Sequence, residues 1–409
     1  MTALPIGWTT AKLGDVVVDG KLTNGLSPAT GGAVEHRVLT LSAVTSGKYR
    51  PEESKEALFA KDPTLEQLVR DGSFLLSRGN GNPDLVGVGV VASAGNEPTI
   101  YPDTVIGGVI DDSKVIPNYL AAIWKSPEVR QQLRKAARTT NGTFKVNQKS
   151  LGAVTFPLPP REEQQRIARI LDHVDGLRAR RRASIASLDD LLVSIYHQMF
   201  VADAAAPYWD EATVEDLLVD VNNAIRTGPF GSQLLKEEFT DEGIPVLGID
   251  NVTTNEFLWG ERRYISEEKY QQLKRYTVRP GDVLITIMGT NGRVAIVPDD
   301  IPVAINTKHL CCITLDQERC TPEYLRATFL WHPKARHYLK SKTKGAIMGG
   351  LNMGIIKMMP LSVPPPAIQQ EFTARARQVD VVRQQYRAHL EQLNDLFASL
   401  QSRAFRGDL

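Results

Sequence analysis

Residues 156–200 read FPLPPREEQQRIARILDHVDGLRARRRASIASLDDLLVSIYHQMF, and residues 363–405 read VPPPAIQQEFTARARQVDVVRQQYRAHLEQLNDLFASLQSRAF. In each stretch a proline cluster precedes a long segment free of proline. Proline cannot continue a ladder or a helix interior but suits a helix start, and Glu162 and Glu163 complement the positive end of the macrodipole. A helix is expected over about 162–200 and another over 367–405. Apolar residues recur at spacings of three and four, which is a heptad seam: Leu171, Val174, Ile185, Leu188, Leu192 and Ile195 in the first, Val379, Tyr386, Leu390, Leu393, Phe397 and Leu400 in the second. Arg178, Arg181 and Arg383 fall near the middle of the seams and are expected to weaken them there. At 1.5 Å per residue each helix is ~58 Å long, too long for a core helix. Two matched seams in one chain are natural partners, and antiparallel ones, because a globular segment lies between them in sequence.

Working outward, residue 117 set against 322 opens an internal repeat that keeps one offset of 205 for over eighty positions. Pro117, Tyr119 and Leu120 face Pro322, Tyr324 and Leu325; Asn147 faces Asn352; Gln164 and Gln165 face Gln369 and Gln370; Val174, Asp175, Arg178 and Arg182 face Val379, Asp380, Arg383 and Arg387. Upstream the echo weakens and drifts, with Trp8 and Asp15 against Trp209 and Asp216, then Gly72 against Gly281. The halves are one fold with different surfaces. The remaining segments mix β-like runs (38–44, 87–92, 246–252, 282–287, 293–297) with helical ones (63–69, 117–137, 322–339), an α+β pattern punctuated by Asn-Gly turns at 24–25, 80–81, 141–142 and 291–292. The organisation expected is therefore 1–157 and 206–361 as two globular domains, with 158–205 and 362–409 as spacer helices.

The 409 residues exceed one ordinary core, and 42% hydrophobic with 23% charged residues excludes a disordered chain, a collagen and a disulfide miniprotein. No apolar run approaches the roughly 18 residues of a membrane span, and MTALPIGWTT lacks the zones of a secretory signal, so a cytoplasmic protein without a membrane partner is expected. Cys311, Cys312 and Cys320 have no CxxC spacing, and the histidines form no ligand cluster; no metal site is expected, and the cysteines read as reduced thiols.

A formal net charge of +1 hides a local asymmetry. From 129 to 161 there is no acid, while Arg130, Arg134, Lys135, Arg138, Lys145, Lys149 and Arg161 are basic. From 324 to 370 there is again none, against Arg326, Lys334, Arg336, Lys340, Lys342, Lys344 and Lys357, with His332 and His337 expected to face solvent or phosphate. Basic windows interleaved with Gly, Thr and Asn suit a loop lying against phosphates, where short side chains allow close approach, and arginine and asparagine can also read base edges. Double-stranded DNA is the polyanion expected, contacted by Arg138, Asn141, Thr143, Lys145 and Lys149 in the first half and by Lys340, Lys342, Lys344 and Asn352 in the second.

No GxxxxGK[ST] loop encodes an ATP motor, and Asn82-Pro83-Asp84-Leu85 is a poor imitation of the segment adenine methyltransferases use at a flipped base. One nuclease-like string exists, Pro102-Asp103 followed by Asp112-Ser113-Lys114, with carboxylates spaced to hold a divalent ion and a lysine to aid water attack. It supports a rival reading as a stand-alone metal-dependent nuclease. A second rival is a coiled-coil scaffold whose basic windows merely solubilise it.

The helix starts at 156–168 and 363–372, the opening Gly7-Trp8 with Leu13-Gly14-Asp15, the Gly72 and Gly281 turns and the Asn147 and Asn352 loops together resemble the specificity subunit of type I restriction-modification systems, over essentially the whole chain. That resemblance implies two target recognition domains in a pseudo-two-fold arrangement. Two long helices would join them as an antiparallel coiled coil, and each domain would read one part of an interrupted target. It implies no catalytic residue in this chain and no cofactor bound by it. S-adenosylmethionine would belong to two modification subunits docked on it, and ATP and Mg to restriction subunits. Pro366-Ala367-Ile368 departs from the acidic pair at the first helix start, so docking there is expected to be less tight or differently made. A ~58 Å spacer covers at most about 17 base pairs, enough for half-sites one to one and a half turns apart, and dissimilar readers imply an asymmetric target.

Overall fold

The computed structural model describes residues 4–140, 142–201, 209–289, 292–342 and 350–409. The chain divides into two compact units, one made of residues 1–182 with 388–409 and the other of 183–387. Each therefore takes one half of each long helix, which run Arg161–Phe200 and Pro366–Ala404. Pro366 occupies the first helical position, where its missing N–H costs nothing.

The first unit is built on a four-stranded antiparallel sheet in the order Thr23–Asn24, Val105–Val109, Ser73–Ser77, Gly89–Ala92. The second repeats that order with Ile225–Thr227, Leu310–Ile313, Val283–Thr286 and Val294–Ile296. In both, the central strand follows a glycine in the left-handed region, Gly72 at φ 74° and Gly281 at φ 77°, a conformation that carries no Cβ penalty for glycine. Flanking sheets differ. Ser54–Phe59, Val34–Leu39 and Thr99–Ile100 form three strands in the first unit, whereas Phe239–Thr240, Tyr264–Ile265, Ile244–Leu247, Ala304–Asn306 and Thr277–Val278 form five in the second.

Both helical runs prove to be two helices broken by proline: Pro117–Ile123 and Pro127–Ala136, then Pro322–Trp331 and Pro333–Lys342. The run at 63–69 supplies only a 3-10 turn, Leu65–Gln67, and the strand expected over 38–44 ends at Leu39 before a helical turn at Ser42–Thr45. The proline clusters do not stop the ladder as expected. Thr155–Leu158 pairs with Thr9–Lys12, and Pro360–Val363 with Asp210–Thr213; each is a two-stranded ribbon whose edges tolerate a residue without an N–H. Thr9 opposite Leu158 becomes Asp210 opposite Val363, so the ribbon register carries both repeat offsets, 201 and 205.

Repeat-equivalent side chains build the same joint twice. Gln164, nearly fully buried, donates to Pro159 O (2.9 Å) and accepts from Ile116 N (2.9 Å); Gln369 donates to Pro364 O (2.8 Å) and to Arg319 O (2.9 Å) and accepts from Thr321 N (2.9 Å). Tyr119 Oη donates to Pro157 O at 2.8 Å, as Tyr324 Oη does to Ser362 O at 2.5 Å. A buried amide satisfied on both ends locks the turn between head and helix in one geometry.

Within each unit the long helices run antiparallel. In the first, Arg178 Nε donates to Asn394 Oδ1 (2.7 Å) and stacks 4.5 Å from the Phe397 ring. In the second, Arg383 Nη1 meets Asp189 Oδ1 at 2.8 Å. These arginines bridge the helices rather than weaken their seam, because each guanidinium finds an acceptor across it. The seam itself is shared with the heads. Leu171 joins Ile167, Ala404 and Phe405 in the core of the first unit around Phe74, Tyr119 and Trp124; Leu192 and Val379 join Tyr196, Phe200 and Phe372 around Tyr324 and Phe329 in the second. Val174 is also buried, whereas Ile185, Leu188, Ile195, Tyr386, Leu390, Leu393, Phe397 and Leu400 are half-buried, as expected of a two-helix seam open to water on its flanks.

Candidate nucleic-acid interface

The stretch 138–145 is not a loop but a hairpin, Arg138–Thr140 against Thr143–Lys145, extended on its far side by Gly79–Asn80. Gly142 at φ 75° supplies the left-handed residue that a tight two-residue turn demands. Asn141 lies outside the described residues. Register sets Arg138 directly across from Lys145 and Thr139 across from Phe144, so the two cations share a face while Phe144 packs on the hydrophobic core. Gly79 lies opposite Lys145, and a Cβ there would come within 3.0 Å of the lysine stem, so the lysine lies over a bare backbone. Like charges directly opposed across strands are destabilising unless an anion joins them. Both are exposed, and among the described residues neither makes an ion pair.

The window lacks acids in sequence but not in space. Asp84 pairs with Arg134 at 2.8 Å and Asp112 with Arg161 at 3.3 Å, while Arg130 is held by the carbonyls of Val86 and Asp84. Lys135, Arg138, Lys145 and Lys149 are left. Lys149 sits apart from the hairpin, on the short helix Gln148–Gly152, beside an open depression of about 510 Å³ that Lys21 and Asp19 also line. Asn147 caps that helix by accepting from Ser150 N at 2.8 Å, and Asn352 caps its counterpart, Met353–Lys357, from Ile355 N at 3.0 Å. Asn352, expected at DNA, thus has its side-chain oxygen committed to the backbone.

In the second unit Lys334 pairs with Glu211 (3.3 Å) and Lys357 with Glu215 (2.7 Å), and Arg326 is held by Asn255 O at 2.7 Å. Lys340 and Lys342 are exposed on Pro333–Lys342, with Lys342 5.8 Å from the Tyr338 ring, and Lys344 lies outside the described residues. His332 faces neither solvent nor phosphate freely. Its ring sits 6.4 Å from that of Tyr196, and burial holds its pKa below the usual imidazole value, with Lys334 and His197 acting in the same direction. Trp259, exposed and covered by Arg262 at 5.2 Å, is an aromatic–cation pair that no basic run announced, because Glu261 stands beside it in sequence.

The nuclease constellation does not assemble. Asp112 pairs with Arg161, Lys114 with Asp111 at 3.3 Å, and Asp103 offers only its carbonyl to Arg78; among the described residues no group of three or more potential ligands could hold a metal ion. Cys311, Cys312 and Cys320 are buried and unpaired, and burial pushes the Cys311 and Cys320 thiols up to about 12. No described helix is long and apolar enough to cross a membrane.

Comparison with known proteins agrees with the repeat. A family model described as the type I restriction modification DNA specificity domain matches residues 88–187 and 220–391, one stretch in each half. The chain is 27% identical over 319 residues to the type I restriction enzyme EcoBI specificity subunit of Escherichia coli, covering 72% of this chain but 64% of that one, and 26% identical to the EcoKI specificity subunit over 45% of its length. It therefore spans about half to just under two-thirds of those relatives. The MjaVIII specificity subunit of Methanocaldococcus jannaschii is 19% identical across 95% of this chain and 90% of that one. Among solved structures, the type I restriction-modification S subunit of M. genitalium has a TM-score of 0.56 at 13% identity, covering 99% of this chain and 97% of the other, a likeness of fold. This chain belongs to the family of the type I restriction modification DNA specificity domain.

Proposed function

We propose that this chain is the DNA specificity subunit of a type I restriction-modification complex. Each unit reads one part of an asymmetric, interrupted duplex target, and the long helices set the gap and dock two modification subunits, with restriction subunits joining the assembly. On this reading the chain has no catalysis of its own. S-adenosylmethionine, ATP and Mg act on partner subunits, and this chain supplies position. The observation that carries DNA contact is the hairpin face on which Arg138 and Lys145 stand directly opposed without an acid; a phosphate seated between them removes the repulsion and gains two charge-assisted contacts. Thr143 follows on the same hairpin, and Lys149, Lys340 and Lys342 are exposed cations that extend the contact in each unit. Trp259 with Arg262 adds a base-stacking or groove-contacting pair in the second unit.

The test is a salt titration of duplex binding. Several phosphate contacts require log K to fall linearly with log salt, by about 0.9 per phosphate neutralised. Arg138→Ala with Lys145→Ala should lower that slope by about 2. A flat salt response in the unaltered chain would favour a scaffold without DNA readout.

A further inference from the structure

Where the head meets the long helices, each unit contains a cleft, and the two are related by the repeat. In the first unit it measures about 410 Å³ and presents Asp175, Arg178 and Arg182 from the helix; in the second it measures about 280 Å³ and presents Asp380 and Arg383, with Arg387 one turn further along. The head's contribution has opposite sign in the two. In the second unit Glu256 reaches from the head to Arg383 (2.7 Å) and to Arg387 (3.1 Å), while Glu323 meets Arg377 at 3.0 Å. Three basic side chains there line the cleft with three acids, so it is neutral.

In the first unit the head brings Lys48, Lys125 and Arg130 to a wall that already holds Arg178 and Arg182, and Asp175 is the one acid among the lining residues. Asp175 is shared by Lys48 (3.3 Å) and Arg178 (2.9 Å). Arg130 is held by neutral carbonyls. The side chains of Lys125 and Arg182 make no hydrogen bond or ion pair among the described residues. Desolvation in the cleft lowers the Lys125 pKa, and Asp175 opposes that shift.

We infer that the first unit's cleft is a binding site for a phosphate-bearing anion, held by Lys125 and Arg182 with Lys48, Arg178 and Arg130 around them. One carboxylate, such as Glu256 supplies in the second unit, would leave most of this charge unmet. A pyrophosphate group or two successive diesters of a strand brings several negative oxygens at once, and arginine's fork with lysine's point charge is the pair that grips them. The same oxygens come from a free polyphosphate or nucleotide or from the DNA backbone. The site does not depend on sequence recognition by the hairpin, so its failure and the failure of the functional proposal are read separately.

The test uses the full chain and sodium pyrophosphate. The thermal midpoint should rise with pyrophosphate beyond its change in sodium chloride of equal ionic strength, because a ligand bound only by the folded state stabilises it by mass action. A Lys125→Met, Arg182→Met double variant should bind pyrophosphate at least about ten-fold more weakly. Lys48→Glu, which places a second acid beside Asp175 in the cleft, should weaken the response without abolishing it, because Lys125, Arg130, Arg178 and Arg182 remain. If a duplex supplies the phosphates, the double variant also lowers the salt slope of duplex binding by about 1 to 2; if that slope is unchanged while the pyrophosphate response is lost, the ligand is a free phosphate compound. No response in the unaltered chain, or an equal response in the variants, overturns the inference.

Discussion

The two units solve the same mechanical problem with the same residues and a different electrostatic problem with different ones. At the joint, Gln164 and Gln369, Tyr119 and Tyr324, and Asn147 and Asn352 make matching hydrogen bonds 205 residues apart. A few residues away, the cleft is neutral in one unit and strongly basic in the other. Where a head must be held on a helix, geometry allows few answers, and the repeat kept them; where a surface meets another molecule, the halves are free to differ.

The largest expected break in the likeness lies at the start of the central strand. Asp282, fully buried, pairs with Arg226 at 2.6 Å and accepts from Thr314 Oγ1 and Cys312 Sγ, whereas the repeat places Ser73 there in the first unit. Asp282→Ala leaves a buried arginine without its partner and should cost about 3–5 kcal/mol, against about 1 kcal/mol for Ser73→Ala. Urea unfolding of both variants decides; similar losses would mean the ion pair is not the second unit's anchor.

Next come the joints. Gln164→Ala and Gln369→Ala should each destabilise by about 1–3 kcal/mol, the buried backbone groups losing their partners. The two losses should agree within a factor of two or three, and a tolerated change at one position alone would show that the joints are not equivalent. Glu256→Gln sharpens the cleft comparison. It strips the second unit of the acid that serves Arg383 and Arg387, so that cleft should gain a pyrophosphate response it otherwise lacks, at a stability cost of about 1 kcal/mol because Arg383 keeps Asp189 and Asp380. The smallest effect concerns pH. His332 has a lowered folded pKa, so below the ordinary imidazole value of about 6.5 the unfolded chain binds the proton more readily, and stability is lost as the pH is lowered through that range. His332→Gln should flatten that slope; an unchanged slope would place the titration elsewhere.

The long helices, the repeat and the α+β heads were legible because proline, heptad spacing and a fixed offset are local or periodic signals. The proline breaks at Pro127 and Pro333 could have been read too, since the residue before a proline is pushed out of the helical region, and Ser126 and His332 are both extended. Charge was harder. The acid-free windows looked unopposed, yet Asp84, Asp112, Glu211 and Glu215 reach them from elsewhere in the chain. Only the fold shows that Arg138 and Lys145 escape, because it places them opposite one another. Asn352 read as a DNA contact from its neighbours and is a helix cap by geometry. Lys48 and Lys125 lie outside or ahead of the basic window, and only the packing of head on helix brings them to Arg182.

The central claim is that the two heads read independently. Replacing residues 1–157 with the corresponding segment of another family member, co-expressing modification subunits and sequencing the methylated sites tests it directly. One part of the target should change while the other part and the gap stay as they were; loss or change of both parts together would contradict it.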